Sequence, residues 1–472
     1  MVTARAAMAQ TIHADNDKRG NAMRKAMLIG WLLACAAAPA TSQVAAPGAP
    51  AATPRVVYIH AGQLLADPAK GPRGHSTVIV RDGKVAEVRD GFAAPEGGAT
   101  LVDLKDRYVL PGLIDMHVHL YSSGYPLQSR LAATTTDRAD GFVMAAKNAR
   151  DTLLVGFTTV RDLGASDARG IRALRDAIAR GEFEGPTIVN AGRMISVTAG
   201  HGDANGLKED YAHAERMEAD HLCNGADACR RATREQIFTG AEVIKFAASG
   251  GVGSNIAGGL EAQMTPEEMK AIVDTAHAFG RKATAHAHGK SGIDAALRAG
   301  VDSIEHGSYV DDETIRLFKS TGAYLVPTDH AFESVIRQSR AGERPAAAAA
   351  KAEEVSKVVK DSHRRAYAGG VKVAFGTDSG VGPHATNALE FGYMVAEGMS
   401  PAQAIRTATV EAATLLGRAD RIGRIAPGMD ADIIAVAGDP VADVARLNTV
   451  DFVMRRGTVH KLGGRHQLFP AE

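Results

Sequence analysis

The sequence predicts an α/β fold whose main part is a (β/α)8 TIM barrel. After Pro111-Gly112, short apolar runs alternate with helical stretches, and eight such runs can be counted. Alternating strands and helices are typical of a parallel sheet, and eight repeats favour a barrel. Glycine is frequent at 50 of 472 residues and aromatic residues make up only 5%, which fits a protein with many turns.

The barrel is predicted to occupy residues 111–414. Its strands are expected at 113–119, 158–161, 187–190, 243–246, 282–286, 303–306, 324–326 and 373–376. Helices between them are expected at 138–154, 171–180, 230–239, 266–278 and 346–368. The spacing of apolar residues supports each assignment.

Predicted β structure lies on both sides of the barrel. Asp82-Gly83 separates two alternating apolar runs, which is a strong hairpin signal. Further strands are expected at 56–60, 100–103, 108–110, 431–436 and 451–454. Residues 55–110 and 415–466 therefore predict one small sheet domain built from both chain ends.

The first 42 residues predict a targeting segment. Met23-Arg24-Lys25 is positively charged, residues 27–38 are apolar, and small residues follow as far as Ser42. This order is typical of a secretory signal peptide and predicts a periplasmic or secreted protein. The apolar run is too short to span a membrane. Cys35 ends a stretch similar to a bacterial lipobox, so a lipid-anchored protein is the alternative.

Composition also limits the partners. Hydrophobic residues at 45% and charged residues at 23% are typical of globular proteins, and 54 basic residues balance 54 acidic ones. The charge balance predicts no nucleic-acid partner, and no later stretch predicts a transmembrane span. Cys223 and Cys229 lie six residues apart, and an oxidising compartment favours a disulfide between them over two free thiols.

Metal-binding side chains follow several predicted strands, where a barrel places its active site. They are His117 and His119, Lys245, His286 and His288, His306, and Asp378. Histidine and carboxylate ligands suit zinc best. A buried neutral lysine can react with carbon dioxide to form a carbamate, which could bridge two ions. Asp378 is the predicted catalytic residue, because it can take a proton from water and pass it to a leaving amine.

The motifs PGLIDMHVH, TTVRDLG, EVIKFAASGG, AHAHG, GVDSIEHG, GTDSG and RIGRIAPGMDADIIAV resemble those of the amidohydrolase superfamily over residues 55–465. The resemblance implies that His117, His119 and Asp378 hold one metal ion and that His286 and His306 hold a second. Carboxylated Lys245 would bridge the two ions, and His288 would be a pocket residue. It also implies that the two β ends form a small β-sandwich.

Within the superfamily, the chain resembles the imidazolonepropionase-like and Xaa-Pro dipeptidase group, which includes ochratoxin-hydrolysing amidases. This implies hydrolysis of an amide bond with release of a C-terminal amino acid. The substrate would be a small N-acyl amino acid, a dipeptide or ochratoxin A. Hydrolysis of a cyclic amide or lactone at the same site is the alternative. Relatives often form large homo-oligomers, which implies a homo-octamer here.

Five residues are predicted to contact the substrate. His201 is the candidate to bind a substrate carboxylate, and its alternative role is to order a loop. His288, Tyr211 and His330 fall on predicted loops at the top of the barrel, and Ser123 follows His119 by four residues. Each of these four also has a structural or solvated alternative.

Overall fold

A computed structural model describes residues 55–204, 208–217, 219–254 and 259–467. The predicted signal segment 1–42, including Cys35, lies outside the described residues. Within them, no helix is both long enough and apolar enough to cross a membrane. A disulfide joins Cys223 to Cys229, which confirms that pairing.

One eight-stranded sheet contains strands from both chain ends. Its order is β16-β15-β14-β13-β4-β1-β2-β3. The strands are β1 (Val56–Leu64), β2 (Ser76–Arg81), β3 (Lys84–Asp90), β4 (Thr100–Pro111), β13 (Ile433–Val436), β14 (Val450–Arg455), β15 (Thr458–Leu462) and β16 (Arg465–His466). The two ends meet where β13 pairs antiparallel with β4, through Ile433 opposite Pro111. The division of the chain into two domains stays a prediction.

The sheet folds over an apolar core that includes Ile59, Val78 and Phe452. Val85 in edge strand β3 exchanges backbone hydrogen bonds with Met429 and Gly428, which lie just before β13. The expected sandwich is therefore, among the described strands, one continuous sheet with its edge turned back towards β13.

Eight parallel strands form two further sheets. The first is β5 (Leu113–Val118), β6 (Phe157–Asp162) and β7 (Thr187–Asn190). The second is β8 (Val243–Ala247), β9 (Lys282–Ala287), β10 (Ser303–His306), β11 (Tyr324–Val326) and β12 (Lys372–Val373). The described ladders do not close into one sheet. Isolated parallel bridges nevertheless link Val118 to Ser379 and Ile195 to Phe246.

The helices lie mainly between these parallel strands. They are α1 (Pro126–Thr135), α2 (Arg138–Leu154), α3 (Ala168–Arg180), α4 (Glu209–Met217), α5 (Ala226–Phe238), α6 (Pro266–Ala278), α7 (Lys290–Ala299), α8 (Asp312–Thr321), α9 (Asp329–Arg340), α10 (Ala346–Ser356), α11 (Val359–Ala368), α12 (Leu389–Ala396), α13 (Pro401–Arg406) and α14 (Ala412–Leu415). Local sequence explains several starts: Asp137 and Thr265 each form a capping box at the start of α2 and α6.

Three predictions differ from the structure. The strands expected at 100–103 and 108–110 are one continuous strand, β4. The eighth barrel strand was expected at 373–376 but is only the two-residue β12, because the following residues turn towards β5: Phe375 accepts a hydrogen bond from Met116 N, and His117 accepts one from Asp378 N. The single helix expected at 346–368 is interrupted at Lys357 and Val358 to give α10 and α11.

Candidate metal centre

The parallel register brings the predicted strand ends to one place. His286 on β9 pairs with Glu305 on β10 and with Ala247 on β8. A cavity of about 190 Å³ lies at these ends. Its lining includes eight of the predicted site residues, namely His117, His119, His201, Lys245, His286, His288, His306 and Asp378.

Several imidazole rings are fixed through one nitrogen. The Nδ1 atoms of His119, His288 and His306 lie 2.8 Å from the Gly164 carbonyl, 2.8 Å from Ser308 Oγ and 2.7 Å from Thr328 Oγ1, respectively. Metal-binding histidines usually use their second nitrogen in this way, which fixes the tautomer and the ring orientation.

The remaining nitrogen and oxygen atoms of these residues lie close to one another. Asp378 Oδ1 lies 3.1 Å from His119 Nε2 and 3.5 Å from His117 Nε2. Lys245 Nζ lies 3.4 Å from His117 Nε2. Asp378 Oδ1 and His286 Nε2 are buried and make no hydrogen bond within the part of the chain that the structure describes. Buried polar atoms usually have partners, so this donor set fits a bound cation.

The donors form two groups that share His306. The first consists of His117, His306 and Asp378, and the second of His286, His288 and His306; within each group the donor atoms lie within 4.8 Å of one another. His288 therefore belongs to a possible ligand group, whereas the sequence resemblance implies a role in the pocket. Both groups are able to hold a metal ion.

Burial keeps most of these rings neutral. His119 is the exception, because its contact with the Asp378 carboxylate outweighs burial and raises its pKa. It lowers the pKa of His117 and His201 to about 4 and that of His288 to about 3. Neutral imidazole offers the lone pair that a metal ion needs. Burial also lowers the pKa of Lys245 to about 8, although Glu305 and Asp378 oppose the shift. A substantial fraction of the amine is then uncharged in mildly basic solution, which is the form that could react with carbon dioxide.

For Asp378, the effect of nearby charges on the pKa is larger than the effect of burial. Burial disfavours its charge, but the nearby His117, His119 and Lys245 outweigh burial and lower its pKa to about 2. The carboxylate is therefore ionised at neutral pH and can accept a proton. His306 and Asp378 have positive φ angles of 75° and 55°. Such conformations are costly for residues other than glycine and concentrate at functional sites.

Two buried carboxylates, Glu305 and Asp115, contact the metal-binding residues and hold them in position. Neither was predicted from the sequence. Glu305 Oε2 lies 2.9 Å from His117 Nδ1, and Glu305 Oε1 lies 2.7 Å from Arg161 Nη2. Asp115 accepts hydrogen bonds from His117 N and from Thr377 N and Oγ1, and so ties β5 to the segment that carries Asp378. A carboxylate inside an apolar strand, as in SIEHG and LIDMHVH, was the available signal.

The structure does not bring all predicted substrate residues to the cavity. Ser123 Oγ bonds to Ser129 Oγ and to the Tyr125 carbonyl, so it stabilises a turn before α1. His330 lies in the first turn of α9, where its ring bonds to Thr386 Oγ1 at 2.7 Å. Neither is among the described lining residues. Tyr211 lies in α4, and its side chain lies outside the described part of the structure.

The rest of the cavity lining was not predicted from the sequence. It consists of Met194, Val252, Gly253, Ala331, Phe332, Val335, Arg344 and Val381. Most of these side chains are apolar, which is typical of a small-molecule pocket. They come from the loops after β7, β8 and β12, from α9 and from the connection to α10. The apolar residues of this set follow the spacing expected of a helix or strand core, so the sequence did not indicate that they line a cavity.

Comparisons with known proteins establish the class. The sequence matches the amidohydrolase family over residues 108–461. The chain belongs to this family, as its motifs indicated.

Individual relatives indicate which type of bond the enzyme hydrolyses. Ochratoxinase of Aspergillus niger is 33% identical over 410 residues, which are 83% of this chain and 83% of that protein. A crystal structure of a Xaa-Pro dipeptidase with bound methionine in the active site is 37% identical, with a TM-score of 0.81 over 86% of this chain and 100% of the other. The crystal structure of A. niger ochratoxinase is 30% identical, with a TM-score of 0.75 over 87% of this chain and 96% of the other. The neighbours imply a TIM-barrel α/β fold with an additional sheet-rich part. The chain is a hydrolytic enzyme that acts on amide or peptide bonds.

Proposed function

We propose that the protein is a binuclear metal-dependent amidase that releases a C-terminal amino acid from a small N-acyl amino acid or dipeptide. One observation carries the proposal. The free nitrogens of the anchored histidines line the same buried cavity as Lys245 Nζ and Asp378 Oδ1. This combination supplies metal ligands and a proton acceptor in one cavity.

The ligand assignment follows the motif resemblance. His117, His119 and Asp378 would hold one ion, and His286 and His306 the other, with carboxylated Lys245 between them. Zinc is the ion that this donor set suits best. Such ions, when bound, supply an activated water and polarise the substrate carbonyl. The lowered pKa of Lys245 supports the carbamate, since its amine must lose a proton to bond carbon dioxide.

Asp378 transfers the proton from the attacking water to the leaving group. Its ionised carboxylate accepts the proton of the attacking water and then donates it to the amine nitrogen of the leaving amino acid, so that one group serves as base and then as acid. Glu305 holds the His117 ring from the opposite side of this site. His201 stacks on His286 with ring centroids 4.2 Å apart, which places it beside the reacting groups.

The substrate class is supported by the relatives. Ochratoxinase and a Xaa-Pro dipeptidase with bound methionine are both similar over most of the chain. Ochratoxin A, which would give ochratoxin α and phenylalanine, is accordingly one candidate substrate.

Product release from a substrate panel tests the function. The panel would contain N-acyl-phenylalanine, Xaa-Pro and Xaa-Arg dipeptides, ochratoxin A, hydantoin and a homoserine lactone, with products separated by chromatography and identified by mass. We expect free amino acid from linear amides with wild type and none with Asp378→Asn. Asp227→Asn, which changes an exposed aspartate in α5, is the matched control. Turnover of only the cyclic substrates would contradict the amidase and favour the alternative.

We further infer that the two parallel sheets close into one barrel and that the mature chain is an exported homo-octamer. The bridges from Val118 to Ser379 and from Ile195 to Phe246 support closure. The disulfide between Cys223 and Cys229 supports an oxidising compartment. The mass of the mature protein would test removal of the signal segment, and light scattering would test the octamer; an uncleaved chain or a monomer would contradict these inferences.

A further inference from the structure

The reaction cavity has a second charged region at its wall. Among its described lining residues, Lys245, Asp378 and Arg344 are the only lysine, arginine or acidic residues. Lys245 and Asp378 lie within the donor cluster. Arg344 instead lies between α9 and α10, and its guanidinium remains charged at all working pH values. It is therefore the candidate to attract an anion that is not part of the reacting bond.

Arg344 is held in position by its neighbours. Its Nε donates a hydrogen bond of 2.8 Å to Gln338 Oε1. The Gln338 amide is buried and donates to the Val381 carbonyl at 3.2 Å. A Cβ atom at Gly253 would lie 2.8 Å from Arg344 Nη1, so glycine leaves room for the guanidinium at this point. A positioned guanidinium loses less entropy when it binds a carboxylate.

An apolar wall lies in the same cavity. Phe332 and Val335 come from successive turns of α9, and Val252 comes from the loop after β8. All three are buried and pack in one apolar cluster. An apolar side chain beside these residues would be removed from water. Arg344 lines the same cavity and would face a carboxylate attached to the same Cα atom of the substrate.

We propose that Arg344 binds the C-terminal carboxylate of the substrate while Phe332, Val335 and Val252 surround its apolar side chain. This inference rests on the proposed amidase function and specifies its substrate class. The preferred substrate is an N-acyl amino acid or dipeptide whose C-terminal residue is apolar and carries a free carboxylate. Arg344 is thus a specificity residue, which replaces His201 as the group that binds the carboxylate.

Turnover of paired substrates tests this assignment. Ala-Phe and its C-terminal carboxamide would be compared with wild type, Arg344→Met, Arg344→Lys and Arg340→Met. Arg340 is the matched control because it is exposed at the end of α9. We expect Arg344→Met to lower kcat/KM for Ala-Phe by about 10- to 100-fold, mainly through KM, and to abolish the preference for the free acid. Arg344→Lys should retain part of that preference, and Arg340→Met all of it. An unchanged preference in Arg344→Met would overturn the proposal.

A binding measurement separates this proposal from the proposed function. If wild type hydrolyses neither peptide, the amidase function fails for this pair, but calorimetric titration with free phenylalanine still tests Arg344. We expect Arg344→Met to weaken binding by at least about tenfold relative to wild type and Arg340→Met. Equal affinities in folded Arg344→Met and wild type, or no binding of phenylalanine to wild type, would overturn it.

Discussion

Replacing Glu305 by glutamine should destabilise the protein because it leaves a buried arginine without its counter-charge. Arg161 and Glu305 are 1% and 0% exposed, and their Nη2 and Oε1 atoms lie 2.7 Å apart. Arg161 also donates to the Met116 carbonyl, so it cannot turn out to solvent without losing a second bond. Breaking such a pair by removing one partner costs about 3–5 kcal/mol. The glutamine amide would also meet His117 Nδ1 where a carboxylate oxygen now lies.

Urea unfolding of the metal-free protein, followed by circular dichroism, measures the cost. We expect the free energy of unfolding of Glu305→Gln to fall by about 3–5 kcal/mol. The double variant Arg161→Met, Glu305→Gln should lose clearly less than the sum of the two single changes, because neither charge is then left alone. Glu313→Gln is the control: Glu313 is 52% exposed and pairs with Arg298, so its loss should cost at most about 1 kcal/mol. A loss below about 1 kcal/mol for Glu305→Gln, or full additivity, would show that Arg161 does not depend on the charge of Glu305.

Three further predictions concern stability. Burial lowers the pKa of His221 from 6.5 to about 4, so the unfolded chain binds its proton first as pH falls, and the folded state should lose up to about 3 kcal/mol across that window. His221→Gln should reduce this acid-induced loss in unfolding titrations, whereas His213→Gln, on the exposed side of α4, should not; equal pH profiles would contradict the burial argument. Removing bound metal with a chelator should lower Tm, because a ligand that binds only the folded state stabilises it; an unchanged Tm after complete removal, verified by elemental analysis, would count against a site formed by folding. Replacing Cys223 and Cys229 together by alanine should cost about 2 kcal/mol for this short loop, and oxidised wild type with no greater stability than the double variant would refute it.

Much of the architecture could be predicted from sequence because it depends on local patterns. Apolar runs placed 187–190, 303–306 and 324–326 correctly as strands. The helix break at Lys357 and Val358 could not be predicted, since residues 346–368 contain neither glycine nor proline after Pro345.

The candidate metal ligands could be predicted from the sequence, whereas the residues around them could not. His117 lies near the end of β5, Lys245 lies within β8 and Asp378 follows β12 by five residues. They could be predicted because the carboxyl ends of barrel strands form the active-site face. Glu305 could not be paired with Arg161 in advance, because the two residues are 144 positions apart and the contact depends on packing. Arg344 was missed for the same reason: its place on the cavity depends on how α9 and α10 pack, and the local sequence has no sign of it.

Anomalous diffraction from crystals of the zinc-loaded enzyme would show whether the site holds two metal ions bridged by Lys245. We expect two metal peaks among His117, His119, His286, His306 and Asp378, with continuous density for a carboxylated Lys245 between them. A single peak, or two peaks with an unmodified lysine, would contradict the binuclear carbamate-bridged site.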